Sequence, residues 1–215
     1  MLRTESAVPR ILHQIVGPNT NELIDKCLAS WQALQSLGFT ITIWDDGSIT
    51  RFLSENYLFA LEAFEKARNH GEASDIARYL LVYHTGGFYM DWDIELLNME
   101  QFVALITKTD SGFLLQDPAN MTLASEAFSA CRQEPYLLDL VNDIVQLYNT
   151  GQRDAMGTPQ YSGPFRMRDS LINSSTRQML IPIKDAFLYD YTEIRSMPQR
   201  PDQRPMIHYW LHTWL

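Results

Sequence analysis

The sequence predicts an α/β fold: a single Rossmann-like domain over residues 1–215, with a central mixed sheet flanked by helices. Three observations predict it. Runs of strand length alternate along the chain with apolar residues at helical spacing, the pattern of a layered α/β protein. The run from Ser74 to Glu95 passes from a helix through Gly86-Gly87 into an apolar strand and ends on Asp91-Trp92-Asp93. A chain of 215 residues is long enough for a sizeable core and suits one domain.

Taken in order, Ile11 to Val16 reads as a first strand closed by Gly17-Pro18-Asn19. Asn21 to Leu37 reads as one amphipathic helix, with Leu23, Ile24, Cys27, Leu28, Trp31 and Leu34 at helical spacing and Gly38 as its stop. Phe39 to Trp44 alternates as a second strand. Asp45-Asp46-Gly47-Ser48 reads as a turn with a helix cap in preference to a metal pair. Ile49 to Arg68 is expected as a helix with the core stripe Tyr57, Leu58, Leu61 and Phe64. Leu96-Leu97 and Phe102-Val103 continue the sheet or lead into a short helix. Gly112 to Leu115 is a strand, and Met121 to Ala130 a strand or irregular segment near the site. Pro135 to Tyr148 opens on a proline that suits a first helical turn. Thr150 to Pro159 is loop-like, Gly163-Pro164 starts a helix to Ile172, and Met179 to Ile183 is a late strand. Residues 184–205 carry little periodicity and are either a lid or a surface wrap.

The chemistry is concentrated between Ser74 and Glu95. On an extended backbone, side chains two apart point the same way, so Asp91 and Asp93 are expected to align with Trp92 on the opposite face. Two aligned carboxylates repel unless a cation joins them. A hard divalent ion such as Mn²⁺ or Mg²⁺ suits them and leaves positions open for substrate phosphates. Asp75 and Arg78 share a helix face, and Ser74 is a candidate cap for that helix. Helix, Gly turn and short strand would deliver these carboxylates to the end of a sheet, where open α/β folds bind ligands.

Bulk properties narrow the partners. The net charge of −9 and the absence of a Lys/Arg run argue against nucleic acid. Cys27 and Cys131, far apart in sequence, read as small buried hydrophobes. No apolar run approaches the length of a membrane span and no signal-peptide pattern opens the chain, so a cytoplasmic protein is expected, free in solution or peripheral to a membrane.

The run SDIARYLLVYHTGGFYMDWDIE resembles the central signature of the DXD-containing glycosyltransferases related to yeast initiating mannosyltransferase, bacterial capsular sugar transferases and the glucosylating domain of large clostridial toxins. Pro9-Arg10-Ile11-Leu12-His13-Gln14 is similar to that family's opening strand, and Ser162-Gly163-Pro164 to its Thr-Gly-Pro. Ile207-His208-Tyr209-Trp210, with Thr213-Trp214, resembles its closing segment. Two positions depart from the pattern: Val16 where the family commonly has a Trp, and Glu126 where it often has an Asn that contacts the donor sugar.

The resemblance implies a GT-A-type nucleotide-sugar fold and a metal-dependent hexosyltransferase that retains anomeric configuration. It implies Asp75, Arg78, Asp91 and Asp93 as catalytic residues, and Asp91, Asp93 and His208 as metal ligands, with His212 a weaker candidate. The donor would lie on Ile15, Val16, Asp75, Arg78, Tyr79, Asp91, Trp92, Thr213 and Trp214. His13 is expected to order the first strand. A UDP-hexose is the favoured donor and GDP-mannose the alternative; the acceptor is a glycan, a lipid-linked glycan or a protein, in polysaccharide biosynthesis. The rival readings are a catalytically silent nucleotide-sugar-binding module and, less well supported, a phosphatase. The Asp-x-Asp also resembles that of the haloacid-dehalogenase phosphatases, but Glu95 stands where they have Thr or Val.

Overall fold

The computed structural model describes residues 7–199 and 203–211. Its main sheet has six strands: β1 (Ile11–Ile15), β2 (Thr40–Trp44), β3 (Gly87–Met90), β5 (Gly112–Asp117), β6 (Thr122–Ala130) and β7 (Met179–Pro182). They lie in the order β2-β1-β3-β6-β5-β7. β1 runs parallel to β2 and β3, and β5 parallel to β7; β6 alone runs against both its neighbours. A second, two-stranded sheet joins β4 (Ile94–Leu96) antiparallel to β8 (Met206–His208).

Period-two alternation feeds a core on each face of the sheet. Ile15, Tyr89, Leu114 and Phe128 face one cluster, packed under α4 (His70–Thr85) and α6 (Pro135–Asn149). Leu12, Phe88, Met90, Phe113 and Leu115 face the other, with Trp31, Phe102 and Phe187. β3 must lie close against β1. At Gly87, with φ of +111°, a Cβ would stand 2.4 Å from the Ile11 carbonyl oxygen, so only glycine fits.

Several boundaries differ from the sequence reading. The helix expected over 21–37 is α1 (Glu22–Ser30), capped by Asn21, followed by a 3₁₀ segment Trp31–Leu37. Trp31 and Leu34 are both fully buried there, and the Trp31 indole donates to the Ile94 carbonyl at 2.8 Å, so tertiary anchoring decides the tighter winding. The helix expected over 49–68 is two, α2 (Asp46–Asn56) and α3 (Leu58–Glu65), broken where Tyr57 leaves helical geometry. Leu58 belongs to no core stripe; it is 70% exposed, and Ala60, Ala63 and Phe64 are the buried residues. Ser74 is not a cap. α4 starts one turn earlier, where the Asn69 side chain accepts the Glu72 N–H, and Ser74 is buried inside the helix. Asp45 caps α2 in a reciprocal capping box with Ser48. Met99–Lys108 forms α5.

The Asp91-Asp93 alignment also has a different origin. β3 ends at Met90 and β4 begins at Ile94. Between them the chain turns, with the Ile94 N–H donating to the Asp91 carbonyl at 3.1 Å. A turn, not strand alternation, brings the two carboxylates together. Trp92 accordingly lines the same cleft as Asp91 and Asp93, where the opposite face was expected.

Candidate active site

The cleft, about 380 Å³, opens at the carboxyl ends of β1 and β3. These are the strands where the chain order of the sheet reverses, the general ligand position in such folds. One face of α4 supplies His70, Ser74, Asp75 and Arg78 to it. β6 supplies the opposite side through an irregularity. Leu114 pairs with Phe128 but Gln116 with Leu123, so β6 bulges over Ala124–Ala127 and brings Ser125 and Glu126 to the lining.

Arg78 is the electrostatic hub. Its guanidinium donates to the Ser125 carbonyl at 2.9 Å and to the Ser74 carbonyl at 3.1 Å. It stands 3.3 Å from Asp91 and 3.5 Å from Asp75, and lies 4.7 Å above the Tyr89 ring. Burial alone would discharge it, but Asp91, Tyr89 and Asp75 hold it firmly cationic. Asp75 is the weaker partner: burial raises its carboxyl to about 6 against the pull of Arg78. Its Oδ2 accepts a 2.7 Å hydrogen bond from the Ser162 hydroxyl. The chain comes so near that a Cβ at Gly163 would lie 3.3 Å from the same oxygen.

Asp91 is also shifted upward, by burial first, with Arg78 opposing and Asp93 reinforcing the shift. It accepts the Tyr89 hydroxyl at 2.7 Å. Asp93 goes the other way. Burial would raise it, but His208 outweighs burial and keeps it ionised. The β4-β8 pairing sets Ile94 opposite His208, and the Tyr209 N–H donates to the Asp93 carbonyl at 3.1 Å. His208 Nε2 therefore meets Asp93 Oδ1 at 3.2 Å, while Asp93 Oδ2 accepts the Leu211 N–H at 2.9 Å. Burial would lower His208, yet Asp93 and then Glu126 lift it to about 10.

Asp91, Asp93 and His208 each offer a ligand atom, all within 4.8 Å of one another. These residues fit a divalent cation. Two hard carboxylate oxygens and an imidazole suit Mn²⁺ or Mg²⁺. His208 Nδ1 is buried without a hydrogen-bond partner among the described residues, and Glu126 is 3.7 Å away.

Of the remaining sequence candidates, Ile15 lines the cleft and Val16 does not. Val16 is tied to β2 through its N–H on the Trp44 carbonyl. Tyr79 lies in the core, 0% exposed, where its hydroxyl donates to the Ser162 carbonyl at 3.0 Å. Thr213, Trp214 and His212 lie outside the described residues. His13 serves the first strand. The Trp44 indole donates to its Nδ1 at 3.1 Å, its Nε2 meets the Thr85 hydroxyl at 2.9 Å, and burial depresses it to about 4, so it is neutral. Cys27 and Cys131 are both buried, and burial lifts the Cys27 thiol to about 12.

Sequence reasoning missed His70, one ring of an aromatic pair with Trp92 at 6.3 Å in the lining. Its signal was the Asn69-x-x-Glu72 pattern, which starts the helix early enough to include it. Tyr191 also lines the cleft, which places part of the 184–205 stretch at the site.

Residues 21–111 match the family described as a glycosyltransferase sugar-binding region containing a DXD motif. Over those residues the chain is similar to a DXD-type glycosyltransferase sugar-binding region. Inositol phosphoceramide mannosyltransferase 1 of Schizosaccharomyces pombe is 25% identical over 142 residues, covering 64% of this chain and 43% of its own. A mannosyl phosphorylinositol ceramide synthase of Saccharomyces cerevisiae is 28% identical over 88 residues, covering 40% of this chain and 23% of its own. The matches thus span less than half the length of these curated relatives. A solved structure, the PaToxG glycosyltransferase, superposes with a TM-score of 0.60 at 15% identity, covering 78% of this chain and 70% of that one. It shares the fold: a mostly parallel sheet with flanking helices, of the GT-A kind. No helix among the described residues is long and apolar enough to cross a membrane.

Proposed function

We propose that this chain transfers a hexose from a nucleotide-sugar to an acceptor hydroxyl, with a divalent cation and with retention of configuration. The observation that carries the reading is the convergence of Asp91, Asp93 and His208 in a cleft backed by the buried Asp75–Arg78 pair. Mannose is the hexose that the relatives' names indicate. A UDP-hexose and GDP-mannose are therefore both donors to try. Those names also indicate an inositol phosphoceramide acceptor, and a hydroxyl on a lipid-linked head group is the acceptor that this reading favours over a free glycan or a protein.

Asp91, Asp93 and His208 would hold the cation, whose chemistry is to neutralise charge on the departing diphosphate. Arg78 adds a fixed positive charge beside Asp91 that needs no reorganisation as the diphosphate leaves. Asp75, held by Ser162 and Arg78, presents carboxylate oxygen to sugar hydroxyls. His70 and Trp92 give the cleft an aromatic wall for the base end of the donor, where Val16 offers no ring. The acceptor hydroxyl attacks on the face the diphosphate leaves, and the leaving phosphate takes its proton.

Release of sugar from UDP- and GDP-hexoses, measured with Mn²⁺ or Mg²⁺, tests this directly. Turnover should require the cation, and Asp93→Ala should lower it by at least about 100-fold. Donor binding without turnover would make the chain a silent binding module. Phosphate release from simple monoesters without sugar release would make it a phosphatase.

A further inference from the structure

A second groove, about 410 Å³, lies beyond the cleft and shares Asp117, Thr122 and Leu123 with it. Helix α8 (Pro164–Ile172) borders both. Phe165, at its start, lines the cleft; Leu171 and Ile172, at its end, line the groove. At 1.5 Å per residue, the seven steps from Phe165 to Ile172 span about 10 Å. The far wall is the β5-β6 turn with Met121, and the floor reaches Leu180 of the edge strand β7.

Its lining mixes Gln116, Asp117, Thr122 and Arg168 with apolar side chains, and several of the apolar ones face water. Ile172 is 77% exposed, Met121 73% and Leu180 45%. Such a cluster costs solvation free energy in the free protein, which marks a surface that receives something. Among the described residues of its lining the basic side chain is Arg168, which lies beside Phe165 of the cleft. It stacks 5.3 Å from Phe165, donates to the Met121 carbonyl at 3.1 Å and pairs with Asp169.

We propose that this groove takes the hydrocarbon tail of an amphiphilic acceptor whose head group reaches the cleft. Three features select a tail over a second copy of the chain or a flat membrane surface. The site is concave, it shares Asp117, Thr122 and Leu123 with the cleft, and away from those shared residues Met121, Leu171, Ile172 and Leu180 make it apolar. The identity of the head group rests on the transferase reading; the tail site does not.

The test is direct binding of ethyl and dodecyl mannoside to the full chain, below the micelle concentration, followed by fluorescence or calorimetry. The dodecyl compound should bind at least about tenfold tighter, since each buried methylene adds affinity. Ile172→Glu, and separately Met121→Ser, should remove that preference. Equal binding of the two mannosides, or a preference that survives both substitutions, overturns the proposal. So does a groove filled by a second copy, seen as dimerisation of the native chain that Ile172→Glu abolishes, or a groove that docks on a membrane, seen as binding of the native chain to bare phosphatidylcholine vesicles that Ile172→Glu abolishes. Donor hydrolysis is read separately: its absence in the native chain sinks the transferase reading and leaves the tail-binding result standing.

Discussion

The two helices that border the cleft are built on opposite terms. α4 is buried over most of its length, from Glu72 to Val82, and the charges it carries are fixed by partners on every side. α8 buries only Met167 and Ser170 and ends on an almost bare isoleucine. The first wall is set before any ligand arrives, which suits the charged, polar donor proposed for it, since reorganising buried charge is costly. The second is inexpensive to alter and suits an occupant held by area alone.

That contrast can be broken by substitution. Removing the hub with Arg78→Met leaves the buried Asp75 and the half-buried Asp91 without their counter-charge, and should cost about 3–5 kcal/mol in denaturant unfolding. A loss below 1 kcal/mol would mean the α4 wall is solvated. Asp75→Asn should act in the other direction. Its folded carboxyl titrates near 6, above the ordinary 3.8, so protonation favours the folded state. Stability from this group is fully present below pH 3.8 and is lost as pH rises through 6. At pH 7 the asparagine variant should therefore equal or exceed the native chain, by at most about 3 kcal/mol, and the advantage should vanish by pH 4. A variant less stable at every pH would show that the carboxylate is stabilising. On the other wall, Ile172→Ser should change stability by no more than about 0.5 kcal/mol, as for exposed positions generally.

The same contrast explains what was legible in the sequence. The α4-Gly-Gly-β3-turn unit is contiguous, so its periodicity, its stop and its acidic tip could all be read locally. The way Asp91 and Asp93 converge could not, because a turn and a strand period place the same spacing on one side by different routes. His208 enters through β4-β8 pairing more than a hundred residues away; only the resemblance of its segment pointed to it. The breaks at Trp31 and Tyr57 are tertiary decisions that override helical spacing. The groove is the least legible part, because Met121, Ile172 and Leu180 come from three separate segments and carry no motif. Tyr79 shows the converse: it sits inside the recognisable run, yet lies in the core supporting the Ser162 loop.

The central claim is a cation held by Asp91, Asp93 and His208. Crystals grown with Mn²⁺ and a nucleoside diphosphate, measured at the manganese absorption edge, test it most directly. The account predicts one anomalous peak within coordination distance of all three side chains, facing the cleft beside Arg78. A peak elsewhere, or none at saturating Mn²⁺ with the diphosphate bound, would contradict it.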